Sequence, residues 1–415
     1  MGQTMIEKII SHNTGRAVRP GDIVTVNVDN VMLDDIMMPF IVSKFKEMGF
    51  KKVWDRDKVV IICDHLVPAS QVDDTRAYHI SCDFATEQGI SNLHRSDGIC
   101  HQLMTEAGYV KPGHVVFGTD SHTTTYGCVG AFSTGIGYTE MAGILGTGKL
   151  WIRVPATIKI NITGKLPSNV MSKDVILKVI GDLGAAGATY KALEFTGDTA
   201  EDMSVSSRMT MTNMAIEAGA KCGLFAPDEA TARYCGTDLN EFQASLKGDD
   251  DAVYERVINY RAEDFVPVMA VPSNVDHVVP VSSIENVKVD QVFLGSCTNG
   301  RLEDLMAAAE ILKGRKIAPF VKFIVTPASR RVYLEAMRNG TIDILTEAGA
   351  VITHPSCGLC CGRTGGILTD GEVVVATNNR NFLGRMGTSN VNIYLASPKS
   401  AAASALAGKI TAAQL

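Results

Sequence analysis

The chain has 415 residues, 46% of them hydrophobic and 20% charged, and 39 basic against 45 acidic side chains give a formal net charge of −6. That length and apolar content support two or three packed domains and exclude wholesale disorder. The acidic balance argues against a nucleic-acid partner, and no apolar run approaches the ~18 residues of a membrane helix.

From the N-terminus, MGQTMIEKII is charged and lacks a long apolar stretch, so no signal peptide is expected. Ile6 stands where a myristoylation motif wants Ser or Thr. The expected location is cytoplasmic. Further along, apolar β-branched runs that end in polar residues recur at 58–65 (KVVIICDH), 114–122 (HVVFGTDSH), 289–300 (VDQVFLGSCTNG), 323–329 (FIVTPAS), 350–360 (AVITHPSCGLC) and 372–381 (EVVVATNNRN). Helical patterns follow at 301–312 and 330–340. Near-continuous apolar strands alternating with helices predict an α/β chain with mostly parallel sheets. Ligands of such sheets gather beyond the carboxyl ends of the strands, where Asp64, His65, Asp120, Ser121, His122, Cys297, Cys357 and Arg380 fall. Segment 155–167 (PATIKINITGKLP) reads as an edge strand leaving the first block, and 272–283 (PSNVDHVVPVSS) as a linker. Domains are therefore expected at about 1–155, 156–275 and 276–415.

Asp64-His65 and Asp120-Ser121-His122 are Asp–His pairs, joined by His101 in GICHQ. A carboxylate beside imidazole sets its tautomer and raises its basicity, which suits proton transfer near neutral pH. The string Gly143-Ile-Leu-Gly-Thr-Gly148-Lys149-Leu150 mimics a phosphate loop, but Leu150 replaces the required Ser or Thr and the preceding residues look helical. Asn213 and Glu217 lie four apart in a helical stretch and project from one face; on that small, apolar surface Glu217 is expected to present a raised-pKa carboxyl.

Ten unevenly spaced cysteines in a chain this long do not suggest a disulfide framework. Cys357 and Cys360 form a CxxC with no second pair for a structural zinc, and the GRTGG that follows starts no helix of the thioredoxin kind. With Cys297 they make a three-thiolate set, suited to a four-iron cluster lacking its fourth protein ligand or, alternatively, to simple burial. Cys361, adjacent to Cys360, reads as a neighbour. Arg380 and Arg385 in NNRNFLGRMG suit bidentate binding of carboxylates.

Taken in order, CDH at 63–65, DGICHQ at 97–102, GTDSHTTTYGCVGAFSTGIGYTE at 118–140, NMAIEAGA at 213–220, GSCTNGR at 295–301, CGLCCG at 357–362 and NNRNFLGRMG at 378–387 resemble the aconitase superfamily. The likeness is to free-standing large subunits of the isopropylmalate dehydratase and homoaconitase type, and it runs nearly end to end. It implies a three-domain architecture lacking the fourth, swivelling domain, and a [4Fe-4S] cluster, one per large subunit, on Cys297, Cys357 and Cys360. By the same likeness Asp64, His65, His101, Asp120, His122 and Glu217 are catalytic. Ser121, Asn213, Arg380 and Arg385 would bind substrate. A separate small subunit would supply the serine that abstracts the carbon-bound proton; Val205-Ser206-Ser207-Arg208 is not expected to stand in for it.

The implied reaction is reversible dehydration of a small hydroxy dicarboxylic acid. Met37 and Met38 replace hydroxyl-bearing residues common in relatives, and Leu359 replaces Pro or Ala. Flexible apolar volume at these positions favours an alkyl-substituted malate, slightly 2,3-dimethylmalate over the alternative, 3-isopropylmalate. A cluster-sensing RNA binder and an electron carrier are the rival classes. The first is disfavoured by charge and by the missing fourth domain, the second by the missing fourth cysteine.

Overall fold

The computed structural model describes residues 2–413. The strands Val59–Ile62 and Val115–Gly118 are buried at every position, as runs of Val, Ile and Phe covered on both faces must be. They lie in a five-stranded parallel sheet ordered Leu93–His94, Val59–Ile62, Asn30–Asp34, Val115–Gly118, Phe132–Gly135. A two-stranded antiparallel ribbon, Ile23–Asn27 with Lys149–Arg153, belongs to the same part of the chain. A second parallel sheet runs Cys222–Phe225, Ala192–Thr196, Thr157–Thr163, Arg256–Arg261. The third has seven strands ordered Val278–Pro280, Val268–Ala270, Asn392–Leu395, Val373–Ala376, Gln291–Leu294, Lys322–Val325, Val351–Ile352; Val268–Ala270 pairs antiparallel with both of its neighbours, and the remaining pairings are parallel.

The chain is thus an α/β protein of mostly parallel sheets, and each of the six apolar runs contributes a strand. Helices Leu302–Leu312 and Arg330–Arg338 follow as their patterns predict. Two local expectations need correction. Thr157–Thr163 is an inner strand, its backbone paired with Ala192–Thr196 on one side and Arg256–Arg261 on the other, and its Ile158, Ile160 and Ile162 are buried on a face of that sheet. Segment 272–283 is no free linker: Val278–Pro280 adds to the margin of the third sheet. Val268–Ala270, which lies before residue 275, also pairs within that sheet.

Apolar residues from one face each of the second and third sheets share one core, which includes Ile160, Phe195, Phe293, Val374, Leu359 and the cysteines 357 and 360. A second core joins the first sheet to the N-terminal helix Met5–Thr14 and reaches Cys222 and Leu224. Met38 is fully buried there with Ile41 and Phe45 of helix Met38–Glu47, and Met37 packs against the same cluster. Met38 therefore fills a core remote from solvent, Met37 is partly buried against it, and Leu359 packs in the core that also holds Cys357 and Cys360. The phosphate-loop mimic is the end of helix Tyr138–Thr147, closed by Gly148 with φ +68°, and Lys149 begins a strand. A phosphate loop needs the opposite order, strand before helix.

Candidate active site

Strand ends of the first and third sheets meet in one place. Beyond Val59–Ile62, His65 Nδ1 donates to Asp64 Oδ1 at 2.8 Å. Asp64 Oδ2 accepts from the backbone N–H of Cys100 at 2.8 Å, fixing the start of helix Cys100–Glu106 and so the place of His101. Beyond Val115–Gly118, Asp120 Oδ1 accepts from His101 Nε2 at 2.8 Å, from the His122 backbone N–H at 2.7 Å and from His122 Nδ1 at 3.2 Å. Its Oδ2 lies 3.7 Å from His65 Nε2. Burial alone would raise the Asp120 carboxyl, but the three histidines hold it well below the usual carboxylate range. Burial also opposes a charged His65, yet Asp64, Asp120 and Asp34 carry it well above the ordinary histidine value.

Helix Val205–Asn213 runs into a tighter turn, Met214–Ala218. This delivers Asn213 and Glu217 to the same cleft. Glu217 Oε1 accepts from His122 Nε2 at 2.8 Å and from Arg380 Nε at 2.9 Å, and Arg380 Nη2 donates to Ser121 Oγ at 2.9 Å. The expected raised Glu217 carboxyl is not found. Burial raises it, but His122 and Arg380 outweigh burial and set it below its ordinary value. Helical spacing locates Glu217 correctly; the partners that decide its charge come from residues 95 and 163 positions away in the chain.

The three thiols arrive on two loops. Gln291–Leu294 ends in a short helix, Ser296–Asn299, entered through Ser296 at φ +76°. Cys357 and Cys360 lie in the tight turn after Val351–Ile352. Asn213 Nδ2 donates to Cys297 Sγ at 3.2 Å and Asn379 Nδ2 at 3.3 Å. Ser296 Oγ donates to Cys360 Sγ at 3.5 Å, and Arg385 Nη2 approaches that sulfur at 3.8 Å. The Cys357 backbone N–H donates to Asp64 O at 2.9 Å, tying the thiol loop to the first Asp–His pair. Cys361 Sγ turns to its own loop's Gly358 O at 3.2 Å.

This donor set fits a polynuclear thiolate-held metal group. A hydrogen bond from Cys357 and the Arg385 charge hold Cys360 well below the ordinary thiol value. Burial and the negative Cys360 push Cys297 up to about 12, a repulsion that a cationic centre relieves. Arg385 Nε and Asn378 Oδ1 are buried beside these loops without a hydrogen-bond partner. Ligand-capable atoms of His101, His122 and Cys297 also lie within 4.8 Å of one another, so the acid–base groups and the thiols share one cleft.

All thirteen residues singled out in the sequence lie in or beside this cleft. Several others escaped. Asp35 accepts from the backbone N–H groups of His65 and Leu66 at 3.0 and 3.1 Å, and burial with the nearby Asp64 raises its carboxyl to about 7. Tyr126 OH meets His101 Nδ1 at 3.3 Å. Asn379 sits one position before Arg380, inside a motif where only the arginines drew notice. Asp35 had a sequence signal, as a paired acid at the end of an apolar strand; Tyr126 and Asn379 had none beyond their neighbours.

A model of the aconitase family (aconitate hydratase) matches residues 7–286 and 282–408. The chain is 49% identical over 412 residues to "3-isopropylmalate dehydratase large subunit 1" of Methanopyrus kandleri, covering 99% of each chain. It is 48% identical over 413 residues to a probable 3-isopropylmalate dehydratase large subunit of Methanothermobacter thermautotrophicus, again covering 99% of each. With the crystal structure of Thermococcus kodakaraensis aconitase X it shares the fold, at a TM-score of 0.53 and 14% identity over 86% of this chain and 84% of that one. Membership in this family implies an iron–sulfur cluster. On these matches the chain belongs to the aconitase family and is a hydro-lyase of the isopropylmalate-dehydratase large-subunit type.

Proposed function

We propose that the chain is the large subunit of a 3-isopropylmalate dehydratase, holding one [4Fe-4S] cluster on Cys297, Cys357 and Cys360 and working with a separate small, swivel-domain subunit. The observation that carries the reading is the convergence of the Cys297 loop with His101 and His122. The relatives' names favour 3-isopropylmalate over 2,3-dimethylmalate, and the burial of Met38 in the first sheet's core weakens the case for the latter.

When bound, the cluster supplies a Lewis acid for substrate oxygens. The chain's own groups do the rest. Arg380 and Arg385 present guanidinium forks to the substrate carboxylates. The Asp64–His65, His101–Asp120 and His122–Glu217 pairs hold protons at the cleft and convert departing hydroxide to water. Asn213 orients the Cys297 sulfur. The carbon-bound proton is taken by the small subunit: the serines nearest in sequence to a suitable motif are occupied elsewhere, with Ser207 Oγ donating to Glu303 and Arg208 locked on Asp228.

A kinetic panel of 3-isopropylmalate, 2,3-dimethylmalate, citrate and homocitrate, run on the reconstituted pair of subunits, tests the assignment. The highest kcat/KM is expected for 3-isopropylmalate, and preference for any other acid overturns it. Full activity of the large chain alone would refute the divided site.

A further inference from the structure

Lys173 lies in the first turn of helix Ser172–Leu183 and is fully buried. A buried ammonium needs its three protons satisfied. Nζ donates to the main-chain oxygens of Thr377 and Asn378, each at 2.7 Å, and stands 3.4 Å from Asn299 Oδ1. These partners belong to the two segments that frame Cys297. Asn299 closes the short helix that carries Cys297. Thr377 and Asn378 lead directly into Asn379, whose amide reaches both Cys297 Sγ and Asn213 Oδ1. Thr298 Oγ1 donates to the same Thr377 oxygen at 2.6 Å, so the two segments meet on one carbonyl.

A neutral donor would suffice if the only task were to join two loops, and burying a charge is costly unless it is compensated. The carbonyls offer dipoles rather than a counter-charge. Burial draws the Lys173 ammonium down to about 7, and the largest opposing attraction is to Cys360, ahead of the carboxylate of Asp304 and then Cys297. Asn299 lies two residues after Cys297 on the same short helix, so the ammonium stands behind the Cys297 loop.

We propose that Lys173 is a positioning residue for the thiol-held cluster: it pins segment 377–379 to the Cys297 loop, so that Asn379 meets the sulfur, and it fixes a positive charge behind the cysteines. The proposal rests on reading Cys297, Cys357 and Cys360 as the cluster ligands. Net charge and hydrogen bonds at the sulfurs set the potential of such clusters. A buried cation favours the more reduced, more negative state, so its removal makes reduction harder.

The test is a redox titration, followed by electron paramagnetic resonance, of the anaerobically reconstituted full chain as wild type, Lys173→Met, Lys173→Gln and Lys173→Arg. The Met and Gln variants are expected to titrate at a more negative midpoint potential and to lose iron faster in air, while Arg stays with the wild type. If Met fails to fold, Gln, which keeps a donor without the charge, carries the comparison. A wild-type potential in folded Lys173→Gln overturns the proposal and leaves the ligand assignment standing. Wild-type protein that takes up no iron overturns the ligand assignment, and this inference with it.

Discussion

Asp120 is an acceptor shared among histidines from three segments, so its charge ties His65, His101 and His122 together. Asp120→Asn removes that charge while keeping the shape. The expected loss is roughly a hundred- to ten-thousand-fold in kcat, the usual scale for disabling a proton-transfer network, with circular dichroism unchanged; a loss under threefold would contradict the role. His65 makes a prediction about pH. Its folded-state value is raised, so the stability its charge adds is complete below the ordinary value of about 6.5, then declines with rising pH and vanishes above the folded-state value. The difference in Tm between wild type and His65→Gln should therefore be largest in mild acid and shrink in alkali. A gap independent of pH would show that the ion pairs with Asp64 and Asp120 add nothing.

The elements that place these residues were legible because each obeys a local rule. Val59–Ile62, Val115–Gly118 and Gln291–Leu294 are short β-branched or aromatic runs, and their polar carboxyl ends fell where parallel sheets gather ligands. What local rules miss is partnership between distant segments. Thr157–Thr163 looks like a margin until Ala192–Thr196 and Arg256–Arg261 cover both sides, and Glu217 looks like a protonated acid until His122 and Arg380 reach it. Gly98 is another such case. It has φ +151°, and an added Cβ would stand 2.6 Å from Ser329 Cα, where the turn before helix Cys100–Glu106 meets the loop before helix Arg330–Arg338. Gly98→Ala should cost about 1–3 kcal/mol, seen as a lowered Tm, and should lower kcat because His101 follows three residues later. Unchanged Tm and kcat would mean that this contact yields freely.

Across the whole molecule, the first sheet supplies the Asp–His pairs and the third supplies the thiols and arginines. The helices that connect the second sheet's strands add Asn213, Glu217 and Lys173. This division explains why motif order along the chain made the family legible, while the relatives' names favour 3-isopropylmalate, the alternative, over 2,3-dimethylmalate. Met38 stands close to Asp34 and Asp35 in sequence, but its side chain turns into the core with Ile41 and Phe45, and only packing shows which way a side chain turns. Among the described residues no helix is long and apolar enough to cross a membrane. The central claim is that three cysteines hold an iron–sulfur cluster with one iron open to substrate. The most direct measurement is Mössbauer spectroscopy of the anaerobically reconstituted chain, paired with its small subunit, before and after 3-isopropylmalate is added. A change confined to one iron site is predicted; a spectrum indifferent to substrate, or protein free of iron, would contradict the account.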